Sequence, residues 1–175
     1  MEKIGVVFGC FIPLHVGHKH LINEALQEND KVIIAVCGYD DDRGKDFIPF
    51  SDRYELMLKR YGNYSGVYVV KVDDHAIGLT GLFDHSSWEK WGDEVFIRYF
   101  TDYNMSWDFS TECTWYTGEL DYVEKLSAIY KEDNFKYYSR QRIKVSSTDI
   151  RNNYEKYKHM VDDSFREYIK LNGIR

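Results

Sequence analysis

The chain has 175 residues, of which 23 are Lys or Arg and 29 are Asp or Glu, so its formal net charge is −6 at pH 7. That length suits a single domain, residues 1–175, with a full hydrophobic core. An acidic chain is a poor general binder of polyanions, so we expect no nucleic acid as its main partner.

Cysteine usage and hydropathy indicate the compartment. No run approaches the roughly 20 apolar residues of a membrane helix, and the N-terminus lacks a signal-peptide pattern, so we expect no membrane association. Cys10, Cys37 and Cys113 are odd in number and do not have the spacing of metal ligands. We therefore expect free thiols in a cytoplasmic protein, with Cys37 and Cys113 buried. The oligomeric state stays open, a homo-oligomer included.

The first half of the chain alternates apolar runs with helical periodicity. Strands are predicted at 3–8 and 31–37, with a helix at 18–29 between them. This is a βαβ unit, whose crossover joins parallel strands. A helix capped by Ser51 and a strand at 67–72 continue the pattern.

The second half begins with a long loop at 73–87, a length often found in functional lids. Segment 101–112 is aromatic and has no predicted element. The remaining predicted elements are helices at 88–100, 120–130, 147–153 and 161–171, and strands at 113–116 and 135–138. The alternation predicts an α/β fold, a Rossmann-like doubly wound parallel sheet with ligands at the carboxyl ends of its strands.

Two predicted helix starts carry cations where the helix dipole favours anions. His18, Lys19 and His20 crowd the first turn of the first helix, directly after His15. Gly9 and Gly17 would let an anion approach the backbone closely. This pattern indicates a phosphate site, although Lys19 and His20 alone would fit a solvated surface equally well.

The second case is the helix start at 146–151. Ser146, Ser147 and Thr148 offer capping hydroxyls, and Arg151 in the same turn places a guanidinium beside free N–H groups. A capped surface helix is the alternative. Together the two starts suggest a nucleotide triphosphate held between them. Neither the P-loop sequence nor the Gly-x-Gly-x-x-Gly sequence of dinucleotide-binding dehydrogenases is present.

The run from Gly9 to His18, GCFIPLHVGH, resembles the Gly-x-Phe-x-Pro-x-His-x-Gly-His signature of the nucleotidyltransferase superfamily. The run from Val145 to Arg151, VSSTDIR, resembles its second motif, in the form found in nicotinamide mononucleotide (NMN) adenylyltransferases. The resemblance implies the nucleotidyltransferase variant of the Rossmann-like fold.

Three shorter segments are similar to the NadR-type branch of that family: GYDDDR at 38–43, WEKW at 88–91 and WYTGE at 115–119. Cys10 stands where the branch usually has Lys, and Gly118 replaces Ser. The chain is too short to hold the kinase and repressor domains of the usual NadR-type protein, so neither activity is expected.

The resemblance implies transfer of AMP from ATP to NMN, giving NAD and pyrophosphate, with Mg²⁺ bridging phosphate oxygens and no metal held by protein residues. His15, His18 and Arg151 take the catalytic role. The contacts with ATP implied by the resemblance are made by Gly9, Cys10, Phe11, Ile12, His15, His18, Tyr116, Thr117, Gly118, Ser146, Ser147, Thr148 and Arg151. Those implied with NMN are made by Phe11, Asp40, Arg43 and Trp88, with Trp88 stacked on the cationic nicotinamide ring.

Several alternatives stay open. The acceptor could be phosphopantetheine, glycerol phosphate or flavin mononucleotide, with ATP or CTP as donor. The chain could also be an NAD-sensing module with a lapsed active site, an idea suggested by Cys10. Asp40–Asp42 could form a solvated turn, Trp91 could be ordinary core, and Asp73-Asp74 could either orient substrate or end a strand.

Overall fold

The computed structural model describes residues 1–79, 84–139 and 145–173. Within these residues five strands form one parallel sheet, in the order β3-β2-β1-β4-β5. The strands are β1 (Lys3–Gly9), β2 (Lys31–Gly38), β3 (Val67–Asp73), β4 (Glu112–Thr117) and β5 (Asn134–Tyr137). The helices are α1 (Val16–Glu28), α2 (Phe50–Tyr61), α3 (His85–Asp102), α4 (Leu120–Ser127), α5 (Ser147–Asn152), α6 (Tyr154–Tyr157) and α7 (Asp163–Asn172), with a 3-10 helix at Lys158–Met160.

The sheet order confirms the predicted α/β class and locates its crevice. The chain builds β1, β2 and β3 outwards in one direction and then returns, so that β4 pairs with β1 on the side opposite β2. Val7 lies opposite Tyr116, and Gly9 lies opposite Val36. The carboxyl ends of β1 and β4 therefore flank the point where the strand order reverses, which is where such sheets bind ligands.

Apolar side chains cover both faces of the sheet, because the central strands are buried on both sides. One core layer packs α1, α2 and α7 against the sheet, and it includes Ile22, Met57 and Phe165. The other packs α3 and α4 against the opposite face around Trp91 and Trp115. Trp91 thus belongs to the core, which confirms the interpretation of this residue as ordinary core packing.

Helix boundaries differ from the predictions where a local cap decides them. The helix predicted from residue 18 begins at Val16 with His15 as its N-cap. The second helix begins at Phe50 after Pro49, so Ser51 is not its cap; Pro49 has no N–H to satisfy and a fixed φ. Asp84 accepts a hydrogen bond from Ser87 N–H and starts α3 earlier than predicted.

Other boundaries shift by a few residues. The fourth helix ends at Ser127 rather than at residue 130, and the last begins at Asp163 rather than at residue 161. Cys37 and Cys113 are buried, as predicted, and all three cysteines are free thiols. In the ranges that the structure describes, no helix has the length and apolar character to cross a bilayer.

A buried carboxylate links the N-terminus of α7 to the first turns of α1. Asp162, only 2% exposed, accepts from Lys19 Nζ at 2.7 Å and from Arg60 Nε at 3.1 Å, and it caps α7 through Ser164 N–H. Its own N–H donates to Leu14 O at 3.0 Å. Burial acts to raise the pKa of Asp162, but the hydrogen bond and charge of Lys19, with hydrogen bonds from Arg60 and Ser164 N–H, outweigh it and hold that pKa below the ordinary value.

We expect Asp162→Asn to lower the free energy of unfolding by about 2–3 kcal/mol at pH 7, since it leaves two cations without their buried partner. Because the folded pKa is depressed, this contribution is present above the ordinary Asp pKa and is lost as pH falls through the folded one. Urea unfolding at pH 7 and pH 3 would show a difference between variant and wild type that shrinks in acid.

The matched control is Asp163→Asn at the next position. Asp163 is exposed and pairs with Arg166 on the surface, so the loss should stay below about 1 kcal/mol. Equal losses for the two variants would contradict the assignment of Asp162 as the buried fastening.

Candidate active site

A cavity of about 750 Å³ opens at the carboxyl edge of the sheet, between the starts of α1 and α5. The loops after β1, β2, β3 and β4 all contribute to it, as the topology requires. Its size falls in the ordinary range for sites that enclose a small ligand. It unites the two helix starts that the sequence singled out, and these form one end of the cavity.

Two histidines shape that end through a reciprocal cap. His15 Nδ1 accepts from Gly17 N–H at 3.0 Å, and His18 Nδ1 accepts from His15 N–H at 3.3 Å. A ring that accepts at Nδ1 carries its proton on Nε2 when neutral. The rings stack with centroids 3.9 Å apart, and both line the cavity. The helix cap therefore fixes the tautomer of two donors beside the cavity.

Gly9, the last residue of β1, and the loop that follows it shape the space in front of His18. A Cβ on Gly9 would lie 3.8 Å from His18 Nε2, where an anion would approach that donor. Phe11 has a φ of +53°, a conformation that is costly for a residue with a Cβ, and its ring packs edge-on to His18 at 4.9 Å. This strained turn holds the imidazole from one side.

The start of α5 supplies hydroxyls to the same end. Ser146 caps the helix by accepting from Asp149 N–H at 3.1 Å, and Ser147 and Thr148 line the cavity with it. Arg151 stands behind them and donates to Ile12 O at 3.0 Å and Thr148 Oγ1 at 3.3 Å. Arg151 thereby links α5 to the loop between β1 and α1.

Positive charge gathers near this end. Burial and then the charge of Arg43 lower the pKa of Arg151. Arg43 lines the cavity, and its guanidinium lies 3.8 Å from Cys10 Sγ. Two mutually repelling guanidiniums favour a bound anion, which would relieve their repulsion. Burial raises the pKa of the Cys10 thiol, so Cys10 adds no negative charge at neutral pH.

A buried ion pair lies behind the loops. Arg53, fully buried, is bound bidentately by Asp42 and donates to Cys10 O and Ile48 O, each at 2.8 Å. Asp42 is therefore a buried structural partner, which corrects the solvated-turn interpretation for that residue. Asp40, two positions earlier, is exposed and outside the cavity lining.

The opposite end of the cavity is aromatic. Trp88 lies 5.8 Å from Trp91 and 5.2 Å from Tyr122, and Phe8 lies 5.1 Å from Trp91, all measured between ring centroids. Trp88 is partly exposed, whereas Trp91 is 4% exposed. Trp88 thus presents a ring to the cavity while Trp91 supports it from the core.

The two carboxylates after β3 have separate roles. Asp73 Oδ1 accepts from the N–H groups of His75 and Ala76, each at 3.0 Å, and so ends the strand in a turn. Asp74 lines the cavity instead. Burial, followed by the charge of Asp73, raises the pKa of Asp74 to about 6, although His75 acts in the opposite direction. The strand-ending interpretation is confirmed for Asp73, and the substrate-orienting role of Asp74 stays a prediction.

Most of the predicted site residues meet in this cavity. Those that line it are Gly9, Cys10, Phe11, His15, His18, Arg43, Trp88, Thr117, Gly118, Ser146, Ser147 and Thr148. The predicted residues outside the lining are Ile12, Asp40, Tyr116 and Arg151. Tyr116 is buried in the core and turned away from the cavity: its hydroxyl accepts from Asn29 Nδ2 at 2.8 Å.

Glu119, Tyr122 and Lys125 also line the cavity and were not predicted to do so; His20, part of the predicted phosphate pattern, lines it as well. Glu119 lies two residues after the end of β4, which was a usable signal, and Tyr122 and Lys125 lie on α4, the next helix. Lys19, which was grouped with the phosphate site, pairs with Asp162 instead. Across the described ranges, no group of three or more His, Cys, Asp or Glu is arranged to hold a metal ion.

The trifunctional NAD biosynthesis/regulator protein NadR of Salmonella typhimurium is 30% identical over 105 residues, covering 54% of this chain and 24% of that protein. A probable nicotinate-nucleotide adenylyltransferase of Clostridium perfringens is 32% identical over 87 residues, 48% of this chain and 43% of its own. The chain therefore aligns with less than half the length of these relatives.

A solved structure extends the likeness to the whole fold. The crystal structure of NadR protein in complex with NAD and AMP-PNP superimposes with a TM-score of 0.76 at 25% identity, covering 97% of this chain and 47% of that one. The cytidylyltransferase-like family model matches residues 6–153, a range that contains both helix starts and every loop of the cavity. The chain belongs to the cytidylyltransferase-like family.

Proposed function

We propose that the protein transfers the AMP group of ATP to NMN, forming NAD and releasing pyrophosphate. The observation that carries this proposal is that one cavity has two chemically different ends. One end offers imidazoles, hydroxyls and guanidiniums, which suit a polyphosphate, and the other offers aromatic rings, which suit a flat cationic heterocycle.

The triphosphate is placed between the two helix starts. His15 and His18 carry Nε2–H donors, and α1 has no acidic residue in its first turn to oppose an anion. Ser146, Ser147 and Thr148 face the same space and hold the β- and γ-phosphates, which leave as pyrophosphate. Arg151 donates a hydrogen bond to the Ile12 carbonyl and another to Thr148 Oγ1, so it holds one of these hydroxyls and adds positive charge next to them.

The reaction needs no protein nucleophile. The 5′-phosphate of NMN attacks the α-phosphorus of ATP in line, the new P–O bond forms, and the bond to pyrophosphate breaks. Donors fixed in place before the reaction stabilise the charge that develops on the phosphate oxygens. Mg²⁺ would enter with ATP, as part of the MgATP substrate.

The known relatives support this assignment at different levels. Adenylyltransferases of pyridine nucleotides are among the similar proteins, and the NadR structure was solved with NAD and AMP-PNP. These activities and ligands belong to the other proteins. For this chain, the choice of acceptor rests on the aromatic end around Trp88.

The purified chain, incubated with ATP, Mg²⁺ and NMN, should form NAD and pyrophosphate in equal amounts. Chromatography of NAD together with a coupled pyrophosphate assay measures both products. Phosphopantetheine, glycerol phosphate and flavin mononucleotide, each with ATP or CTP, serve as competing acceptors. Faster turnover of one of these, or tight NAD binding without turnover, would refute the proposal.

His18→Ala should lower kcat about 100- to 1,000-fold, since one preset donor to the transferring phosphates is lost. Loss of the acceptor for His15 N–H costs only part of one helix cap, so circular dichroism and thermal unfolding should show a folded protein. Steady-state kinetics with saturating ATP and NMN provide the measurement.

His85→Ala is the matched control for that variant. His85 begins α3 outside the cavity lining, and its side chain is 67% exposed. Its kcat should stay within about twofold of wild type. A folded His18→Ala protein with unchanged kcat would remove His18 from the mechanism.

A further inference from the structure

Two of the three cysteines stand side by side at the carboxyl edge of the sheet. β1 and β2 pair in parallel, and the last pair in their register is Gly9 opposite Val36. Cys10 and Cys37 are the next residues along the chain. Neighbouring strands lie about 4.8 Å apart, which falls inside the range of roughly 4.4–6.8 Å that a disulfide spans between its Cα atoms. The register therefore places the two cysteines at a spacing that a disulfide can bridge.

Both thiols belong to the face of the sheet that α3 and α4 cover. Cys37 and Phe8, which is two residues before Cys10, are part of the core layer on that face, and residues two apart along a strand share a face. The Cys37 thiol accepts a backbone hydrogen bond from Gly9, the residue before Cys10. Burial, and then the charges of both thiols, raise the pKa of Tyr122 on α4. The two sulfurs thus act on the same surroundings.

The cavity gives small molecules access to this pair. Cys10 and Cys37 both line it; Cys10 is partly exposed, and Cys37 is 8% exposed. Cys113, the third free thiol, is 4% exposed and lies on β4 outside the lining. A small oxidant that enters the cavity therefore meets the pair and not Cys113.

The surrounding charges indicate which thiol reacts first. Burial raises the pKa of both thiols, but the charges of Arg43 and Arg53 oppose this shift at Cys10. At Cys37 the charges of Cys10 and Asp74 add to the effect of burial, and its pKa lies well above the ordinary value. Cys10 is therefore the more readily ionised thiol, and the thiolate is the form that attacks a peroxide.

We propose that Cys10 and Cys37 are a redox modification site, which a peroxide entering the cavity converts to a disulfide. The Cys10 thiolate attacks one oxygen of hydrogen peroxide, the O–O bond breaks, and a sulfenic acid forms on Cys10 as the first water leaves. The Cys37 thiol then attacks that sulfur, the S–S bond forms, and a second water leaves. Two electrons and both thiol protons pass to one hydrogen peroxide molecule, which is reduced to two waters.

The disulfide changes the cavity at the first residue of the loop between β1 and α1. Cys10 Sγ lies 3.8 Å from the Arg43 guanidinium, and the next residue, Phe11, packs its ring against His18. A bond to Cys37 draws Cys10 Sγ toward β2 and ties down the start of this loop. We therefore expect the oxidised protein to bind MgATP less tightly, a consequence that rests on the placement of ATP in the proposed function.

The test counts thiols in the full chain. The native protein is treated with a small excess of hydrogen peroxide, unfolded in iodoacetamide, and digested for mass spectrometry. Free thiols should fall from three to one. The peptides that contain Cys10 and Cys37 should be joined, and the product should be two hydrogens lighter than their sum. Dithiothreitol should restore all three thiols. The Kd for MgATP, measured by calorimetry, should rise severalfold on oxidation and return on reduction.

Cys37→Ala and Cys113→Ala are matched variants, because each removes one buried thiol. Cys113→Ala should form the disulfide in the same yield as wild type, whereas Cys37→Ala should form none. Phenylarsine oxide gives a second measurement that needs no variant. This trivalent arsenical binds two adjacent thiols at once, so one equivalent added to wild type should prevent peroxide from forming the disulfide.

Three thiols that persist after peroxide treatment, a disulfide that includes Cys113, or a sulfinic acid on Cys10 with Cys37 still reduced would overturn the proposal. An unchanged Kd for MgATP in the oxidised protein would overturn its effect on nucleotide binding. The thiol measurements do not depend on turnover. A reduced protein that forms no NAD therefore refutes the proposed function and leaves the modification site in place.

Discussion

The ion pair between Arg53 and Asp42 is the constraint on which the shape of the cavity depends. Arg53 reaches from α2 under two loops and satisfies its donors on the carboxylate of one and the Cys10 carbonyl of the other. Removing either partner would leave a buried charge uncompensated, which is far more costly than losing a surface pair. The loops that follow β1 and β2 are thus held by directional bonds as well as by apolar packing, and their spacing is fixed before a ligand arrives.

The cavity itself collects groups that do not favour one another. Arg43 and Arg151 repel, Phe11 is strained, and Asp74 keeps a carboxylate oxygen without a donor in the described chain. Such a concentration of unfavourable features is typical of sites whose stabilising partner is a ligand. The polyphosphate end and the aromatic end each lack the charge that the proposed substrates carry.

The sequence predicted the sheet and most helices because their signals are local: apolar runs, helical spacing and capping residues. It also located both helix starts, whose residues meet in one cavity. Local sequence signals could not distinguish the roles of neighbouring acidic residues. Only Arg53 distinguishes Asp42 from Asp40, and only the direction of the chain after β3 separates Asp74 from Asp73. Tyr116 was misplaced for a related reason, since strand residues alternate between faces and its ring faces α1.

The antiparallel bridge between His15 and Val161 carries a consequence for how the molecule matures. His15 is synthesised early and reaches its neighbours Gly17 and His18 at once. Its backbone partner at Val161, and the bond from Asp162 to Leu14, are supplied only after about 145 further residues have been synthesised. Until then, the loop between β1 and α1 lacks these two backbone contacts, so its final conformation depends on residues synthesised much later.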